Sequence, residues 1–177
     1  ARYDVHPGEK FYVDTIMVEV RDTSIAAEMD KIAEDTRLKK GMPFDANILN
    51  EERSRITNHM TENGFFAFNR DFIRYEVDTV RGSTLVRLKM IVSDYIDPTD
   101  KSHSPHRKYR IGDVKYSYDR STSSPIWLRP NVLKRANSLI PGDIYRDSNL
   151  SDTYARLNTL GAVADTNVRM APDTQDR

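Results

Sequence analysis

Apolar and polar residues alternate in three stretches of the first half of the chain, the period-two pattern of half-buried strands. These stretches cover residues 11–20, 65–77 and 86–92. Between the first two, apolar residues recur at the spacing of a helix face, with Ile25, Met29 and Ile32 in one segment and Leu49, Ile56 and Met60 in the next. The pattern predicts strand, helix, helix, strand, strand, with a bulge or bend near residues 69–71, where the alternation changes phase.

Capping residues give the expected boundaries of the two helices. Residues 22–24, Asp-Thr-Ser, supply N-cap candidates for the first helix, and Asp45 caps the second. We expect the first helix to end near Gly41, which can adopt the left-handed cap conformation, and the second to end at Gly64.

The second half of the chain repeats the first. Tyr109 and Ile111 stand 98 positions after Phe11 and Val13, and the segment 41–44, Gly-Met-Pro-Phe, is answered by Gly-Asp-Ile-Tyr at 142–145. Pro130 fits the first turn of a third helix, Asp147 or Ser148 caps a fourth, and residues 163–170 begin a strand. A repeated supersecondary unit indicates a tandem array, and such arrays bind extended partners more often than they catalyse reactions.

The repeat predicts the domain organisation. Residues 1–6 are interpreted as the end of a preceding unit, 7–96 as one complete unit, 97–108 as a linker, and 109–177 as a second unit that lacks its last strand. Both ends are therefore interpreted as cuts through a longer array.

Composition argues against several classes of protein. Lys and Arg together number 27, as do Asp and Glu, so no overall field attracts nucleic acid. There is no cysteine, no phosphate-binding glycine loop and no nucleophile elbow, so we expect no catalytic, cofactor or metal site. His103 and His106 lie close together but have no obvious third ligand, which favours a linker over a zinc site.

The order of elements, with Gly-x-x-aromatic between the helices and Gly after the second, resembles the POTRA (polypeptide-transport-associated) domain. It is most similar to the outer-membrane β-barrel assembly family of the BamA/TamA type. Residues 150–161 resemble the second helix of that domain and residues 41–44 the loop between its helices. The resemblance implies an α+β fold of tandem β-α-α-β-β units, each a three-stranded mixed sheet covered on one face by two helices, with the third strand central and the second at an edge.

The resemblance also implies a location and partners. Several units would lie on the periplasmic face of the outer membrane of a Gram-negative bacterium, before a C-terminal membrane barrel. Partners would be unfolded outer-membrane β-barrel proteins, accessory assembly proteins and the adjacent barrel, with no nucleic acid. An edge strand leaves backbone groups unpaired, and an extended client can pair with them.

Two sets of residues follow from this hypothesis. The candidate client-binding edges comprise Phe66, Phe68, Ile73, Arg74, Tyr75 and Val77 in the first unit, and Val168, Arg169 and Met170 in the second. The structural motif comprises Gly41, Phe44, Gly64, Gly142, Tyr145 and Gly161.

Several alternatives stay open. The edges could pack against neighbouring units or remain empty. The aromatic residues near the second strand could form a client groove, although packing beneath the helices is favoured, and Trp127 is interpreted as a core or interface anchor. The same fold could serve a secretion transporter or a cell-division scaffold. Small α+β repeats also bind RNA, but the balanced charge, the absence of a GxxG clamp and the absence of an aromatic RNP signature argue against this.

Overall fold

The chain forms two compact units in the computed structural model, which describes residues 8–79, 81–117, 129–160 and 167–171. The first unit comprises residues 1–60 and 67–106, and the second comprises 61–66 and 107–177. The elements in chain order are β1 (Tyr12–Val20), α1 (Thr23–Lys31), α2 (Ala46–Glu62), β2 (Ile73–Thr79), β3 (Leu85–Val92), β4 (Tyr95–Ile96), β5 (His103–Ser104), α3 (Pro130–Ala136) and α4 (Asp147–Thr159).

A three-stranded mixed sheet organises the first unit. β3 lies in the centre, parallel to β1 and antiparallel to β2, so the predicted strand order is confirmed. Buried and accessible residues alternate along β3, because one face of the sheet is covered and the other is open. The covered face and the helices together supply the core residues Val13, Ile25, Leu49, Ile56, Met60, Ile73, Val86, Leu88, Met90 and Val92.

The first helix is shorter than the sequence suggested. Asp22 caps it as expected, with its carboxylate accepting the Ser24 N–H at 2.9 Å. The expectation that it continues to Gly41 is wrong, since α1 ends at Lys31. Beyond that point the Ile32 N–H donates to the Met29 carbonyl at 3.1 Å, three residues back, which tightens the turn and ends the α-helical pattern.

A buried carboxylate holds the segment that follows α1. Glu52 of α2 accepts hydrogen bonds from the Thr36 hydroxyl at 2.9 Å and the Arg37 N–H at 3.1 Å. The Arg55 guanidinium pairs with the same carboxylate at 2.6 Å and donates to the Ile32 carbonyl at 3.1 Å. These bonds fix residues 32–37 against α2 as an irregular loop.

Residues 97–106, treated above as linker, lie in the first unit. They include β5, which pairs with β4 in a short hairpin, and end at His106, which is buried. The His106 N–H donates to the Asp22 carboxylate, and its ring Nε2 lies 3.0 Å from the Ser93 carbonyl oxygen. Its ring also packs against Phe72, with centroids 4.7 Å apart. His106 therefore anchors the end of this segment to the start of α1.

The described part of the second unit consists mainly of a helix pair. Pro130 occupies the first turn of α3, as predicted. Asp147 and Ser148 are not the N-cap of α4; that position is Arg146, which makes no side-chain cap. Instead, the Glu62 carboxylate accepts the Ser148 N–H at 2.7 Å and the Ser148 hydroxyl at 2.6 Å. A carboxylate distant in sequence thus takes the capping role.

The two units share a distinctive set of backbone hydrogen bonds, which supports the predicted repeat. In the first unit, the Val13 carbonyl accepts the Gly41 N–H at 2.7 Å; in the second, the Ile111 carbonyl accepts the Gly142 N–H at 2.7 Å. Two further pairs correspond in the same way. The Phe44 N–H donates to the Phe11 carbonyl, as the Tyr145 N–H does to the Tyr109 carbonyl. The acceptors of the last pair are side chains at equivalent helix positions: the Arg37 N–H donates to the Glu52 carboxylate and the Ser138 N–H to the Thr153 hydroxyl.

Candidate polypeptide-binding edge

β2 is the edge strand that the sequence singled out, and its register shows which backbone groups it leaves unpaired. The Ser93 N–H, just after β3, donates to the carbonyl of Phe72, just before β2, at 2.9 Å, which marks this opposed pair as a bonded position of the ladder. Bonded pairs alternate in an antiparallel ladder, and the register continues through Arg74 opposite Ile91. The backbone groups of Arg74, Glu76 and Asp78 therefore point towards β3, whereas those of Tyr75, Val77 and Thr79 point outwards.

No backbone partner for the outward groups of Tyr75, Val77 and Thr79 exists among the described residues. Val77 is also one of the exposed large apolar side chains, with 40% of its surface accessible. The edge thus offers alternate donors and acceptors over one short stretch, the arrangement that an added strand completes.

The two faces of β2 differ in chemistry. Arg74, Glu76 and Asp78 lie on the open face and are exposed. Ile73, Tyr75 and Val77 lie on the helix-covered face, where exposure increases from buried Ile73 towards Val77. An added strand would therefore meet charged side chains on one face and a helix with mainly uncharged strand residues on the other.

Arg53 of α2 contacts β2 on the helix-covered face. Its guanidinium carbon lies 5.1 Å from the centre of the Tyr75 ring, within the range of a cation–π contact. Burial raises the pKa of the Tyr75 phenol far above its ordinary value, and the nearby Glu52 charge adds to this shift. The phenol is therefore neutral at physiological pH and acts at most as a hydrogen-bonding group.

The structure places the predicted edge residues of the first unit in different settings. Ile73, Arg74, Tyr75 and Val77 lie in β2, but Phe66 and Phe68 precede it, so the expectation that the strand starts at about residue 65 is wrong. The predicted irregularity at 69–71 is a 3-10 turn over Arg70–Phe72, because the Asn69 side chain accepts the Asp71 N–H at 2.8 Å.

The aromatic residues just before β2 are buried or pack against other aromatic rings. Phe65 and Phe68 are buried. Phe66 is partly exposed and packs edge-to-face against Tyr109 and Tyr145, with ring centroids 5.9 and 5.1 Å away. Only Tyr75 of this aromatic set belongs to the edge strand itself.

Val168, Arg169 and Met170 are not part of a strand in the described segment 167–171. The Val168 N–H donates to the Tyr154 hydroxyl of α4 at 3.0 Å, which ties this segment to the helix. Val163 and Gly161, along with Trp127, lie outside the described residues. The second candidate edge remains a prediction.

The motif glycines that are described adopt the left-handed conformation. The φ angle is +83° at Gly41, +99° at Gly64 and +90° at Gly142. Gly64 is also tightly packed: a Cβ there would lie 3.0 Å from Ile144 Cγ2 and 3.3 Å from Lys108 Cβ. Phe44 and Tyr145 supply the loop hydrogen bonds described above, and Tyr145 is buried.

Sequence reasoning missed two features of the β2 edge and one of the opposite edge of the sheet. It omitted Thr79, which continues the outward row, and Arg53, which reaches the strand from α2. It also left out the outer side of β1, where the register points the backbone groups of Ile16, Val18 and Val20 away from β3. The β1 edge could have been predicted from the implied strand order, because a central third strand leaves both other strands at the edges of the sheet.

Two features are absent from the part of the chain that the structure describes. None of their His, Asp and Glu side chains cluster in groups of three or more that could hold a metal ion. Within those same residues, every helix is too short or too polar to cross a bilayer.

Comparison with solved structures identifies the architecture. The structure aligns with the crystal structure of POTRA domains 3–5 of BamA from Haemophilus influenzae, with a TM-score of 0.59 and 12% sequence identity, over 95% of this chain. The chain has a POTRA fold. The POTRA-like fold and the α+β fold class expected from the sequence are thereby confirmed.

Other comparisons add little to the POTRA fold. POTRA domains 1–3 and 1–2 of the periplasmic domain of Omp85 from Anabaena align with TM-scores of 0.43 and 0.44, at 14% and 17% identity. They cover 85% and 93% of this chain, and 50% and 88% of the Anabaena chains. The chain spans 57% of the Haemophilus structure. No protein-family model and no curated protein matches the sequence.

Proposed function

We propose that this chain is the periplasmic POTRA region of an outer-membrane protein assembly or insertion factor in a Gram-negative bacterium. In this role it binds unfolded outer-membrane β-barrel clients and accessory assembly proteins, next to a C-terminal membrane barrel in the full-length protein. It acts as a binding scaffold and not as an enzyme. The fold shared with the BamA structure supports the proposal.

The observation that carries the binding role is the unpaired outer side of β2. The backbone groups of Tyr75, Val77 and Thr79 face outwards, and no described residue covers them. Main-chain pairing depends little on the incoming sequence, because every residue except proline offers the same donor and acceptor. Such an edge suits clients that share an extended conformation but not a sequence.

A proline substitution tests this role. Val77→Pro removes an outward-facing donor, whereas Val18→Pro is the matched control, since Val18 is also exposed and its N–H faces outwards from β1 at the opposite edge. The probe is a fluorescent peptide of about ten alternating threonine and valine residues, a common strand length. Its binding is followed by fluorescence anisotropy, and far-UV circular dichroism checks the folding of each variant.

We expect Val77→Pro to weaken binding at least about tenfold, while Val18→Pro leaves it within about twofold, because one central lost hydrogen bond also disrupts its neighbours. Equal binding by wild type and a folded Val77→Pro variant would refute the proposal. If proline unfolds the unit, the probe is N-methylated instead on alternate residues. One of the two methylation patterns must then abolish binding to the wild type, and tight binding of both patterns would refute edge pairing.

A further inference from the structure

Arg53 has no carboxylate partner among the described residues. Its guanidinium contacts the Asn50 side-chain oxygen at 3.4 Å and lies over the Tyr75 ring, but it forms none of the ion pairs present in the described part of the chain. Arg55, two positions later, is instead paired with Glu52 at 2.6 Å. The α2 cation that contacts the Tyr75 ring of β2 thus has no carboxylate partner among the described residues.

The nearby acidic groups do not alter this conclusion. Glu52 is saturated by Thr36, Arg37 and Arg55, and hydrogen bonds from these groups outweigh its burial and hold its pKa below the ordinary range. Glu51 forms a surface ion pair with Arg37.

The polar atoms around Arg53 also lack partners in the described structure. Arg53 Nε, Thr57 Oγ1 and the Tyr75 hydroxyl are buried and make no hydrogen bond there. Arg53 and Thr57 are four residues apart on α2 and therefore share a helix face. All three groups can donate a hydrogen bond, and Arg53 can only donate. The partner that would complete this cluster is therefore a hydrogen-bond acceptor.

Tyr75 links this cluster to the outer edge of β2. Its ring lies against Arg53, while its own backbone groups point outwards from the sheet. A strand added at β2 places alternate side chains on the helix-covered face, and those nearest Tyr75 approach Arg53. On the open face the same strand passes Glu76 and Asp78, which repel acidic side chains.

We propose that the segment added to β2 carries an aspartate or glutamate on its helix-facing side, beside Tyr75, where the carboxylate pairs with Arg53. This inference rests on the proposed use of β2 as a docking edge and deepens it. The backbone selects an extended conformation, and Arg53 selects an acidic residue at one position, which fixes the register of the added strand.

Two pairs of probe peptides test the selection. All are alternating threonine–valine peptides of about ten residues. In each pair one central residue is replaced by aspartate in one peptide and by asparagine in the other, and the two pairs carry the replacement on opposite faces of the peptide. Affinities are measured by fluorescence anisotropy against wild type, Arg53→Gln, Arg53→Lys and Arg74→Gln. Arg74→Gln is the matched control, because it removes the same charge from the same edge on the opposite face.

On one peptide face only, we expect aspartate to improve binding to the wild type about threefold to tenfold over asparagine, as for a partly screened ion pair. Arg53→Gln should abolish this preference, Arg53→Lys should retain part of it, and Arg74→Gln should leave it intact. Raising the salt concentration should reduce it.

Three results overturn the inference. Equal affinity for aspartate and asparagine on both faces, with binding still sensitive to Val77→Pro, rejects the acidic preference but leaves the docking edge in place. If the preference for aspartate survives Arg53→Gln, another residue causes it and the assignment to Arg53 is wrong. Failure of every peptide to bind the folded wild type rejects the docking edge and this inference with it.

Discussion

Replacing Glu52 by glutamine tests how a single buried carboxylate shapes the first unit. Glu52 is 1% exposed and accepts four hydrogen bonds, from Thr36, from the Arg37 backbone and twice from Arg55. Glutamine keeps the shape of the side chain but removes its charge. Its NH2 group would face hydrogen-bond donors at the place where the second carboxylate oxygen of Glu52 accepts bonds. The Arg55 side chain is 22% exposed, so water partly hydrates the cation that is left.

These contacts set the expected magnitude. Breaking a fully buried ion pair costs about 3–5 kcal/mol, and partial hydration of Arg55 reduces this to about 2–3 kcal/mol. In urea, where small proteins lose about 1–3 kcal/mol of stability per molar, the unfolding midpoint should fall by about 1 M. Glu51→Gln is the control, because its exposed pair with Arg37 should contribute only about 0–1 kcal/mol.

The same carboxylate predicts a pH dependence. The folded-state pKa of Glu52 lies below its ordinary value of 4.5, so its contribution is fully present above about pH 4.5 and is lost as the pH falls through the folded-state value. The stability gap between wild type and Glu52→Gln should therefore narrow in acid. Urea unfolding at several pH values, followed by circular dichroism, measures the gap. Equal midpoints for the Glu51 and Glu52 variants at neutral pH would refute the reasoning.

Two further substitutions probe the second unit. Gly64→Ala should lower the free energy of unfolding by about 2 kcal/mol or more, because φ is +99° and the new methyl group would crowd Ile144. Gly41→Ala is the control: its φ is similar but the space around it is open, so it should cost about 1 kcal/mol. Equal shifts of the two variants in thermal unfolding would contradict this. Glu62→Gln should lower the free energy of unfolding by about 0.5–2 kcal/mol, because the Glu62 carboxylate caps the Ser148 N–H. It should also speed hydrogen exchange of the Ser148 amide. Unchanged exchange at Ser148 would show that the cap is not needed.

The order of the main elements of the first unit could be predicted from the sequence, and the resemblance to POTRA domains implied the topology of its sheet. Period-two alternation locates β3, because its inward residues, among them Leu88, meet a single continuous core. The repeat could be predicted as well, since the paired loop needs glycine at Gly41 and Gly142. A feature can be predicted from neighbouring residues alone where a backbone conformation requires one residue type, as the left-handed conformation requires glycine.

Features that depend on distant side chains could not be predicted. The loop after α1 is held by Glu52, which lies sixteen residues beyond Thr36, and the N-terminus of α4 is capped by Glu62, far from Ser148 in sequence. His106 looked like a loop residue, but its burial depends on a bond to Asp22. No local pattern encodes such pairings.

Residue-resolved hydrogen exchange along β2, with and without the threonine–valine peptide, tests the central claim most directly. In the free protein the amides of Tyr75, Val77 and Thr79 should exchange fast, and those of Glu76 and Asp78 slowly, because only the latter are bonded to β3. The account predicts that peptide slows exchange at the three outward amides and leaves the inward ones unchanged. Binding that leaves the outward amides unprotected, or that protects Ile16, Val18 and Val20 on β1 instead, would contradict it.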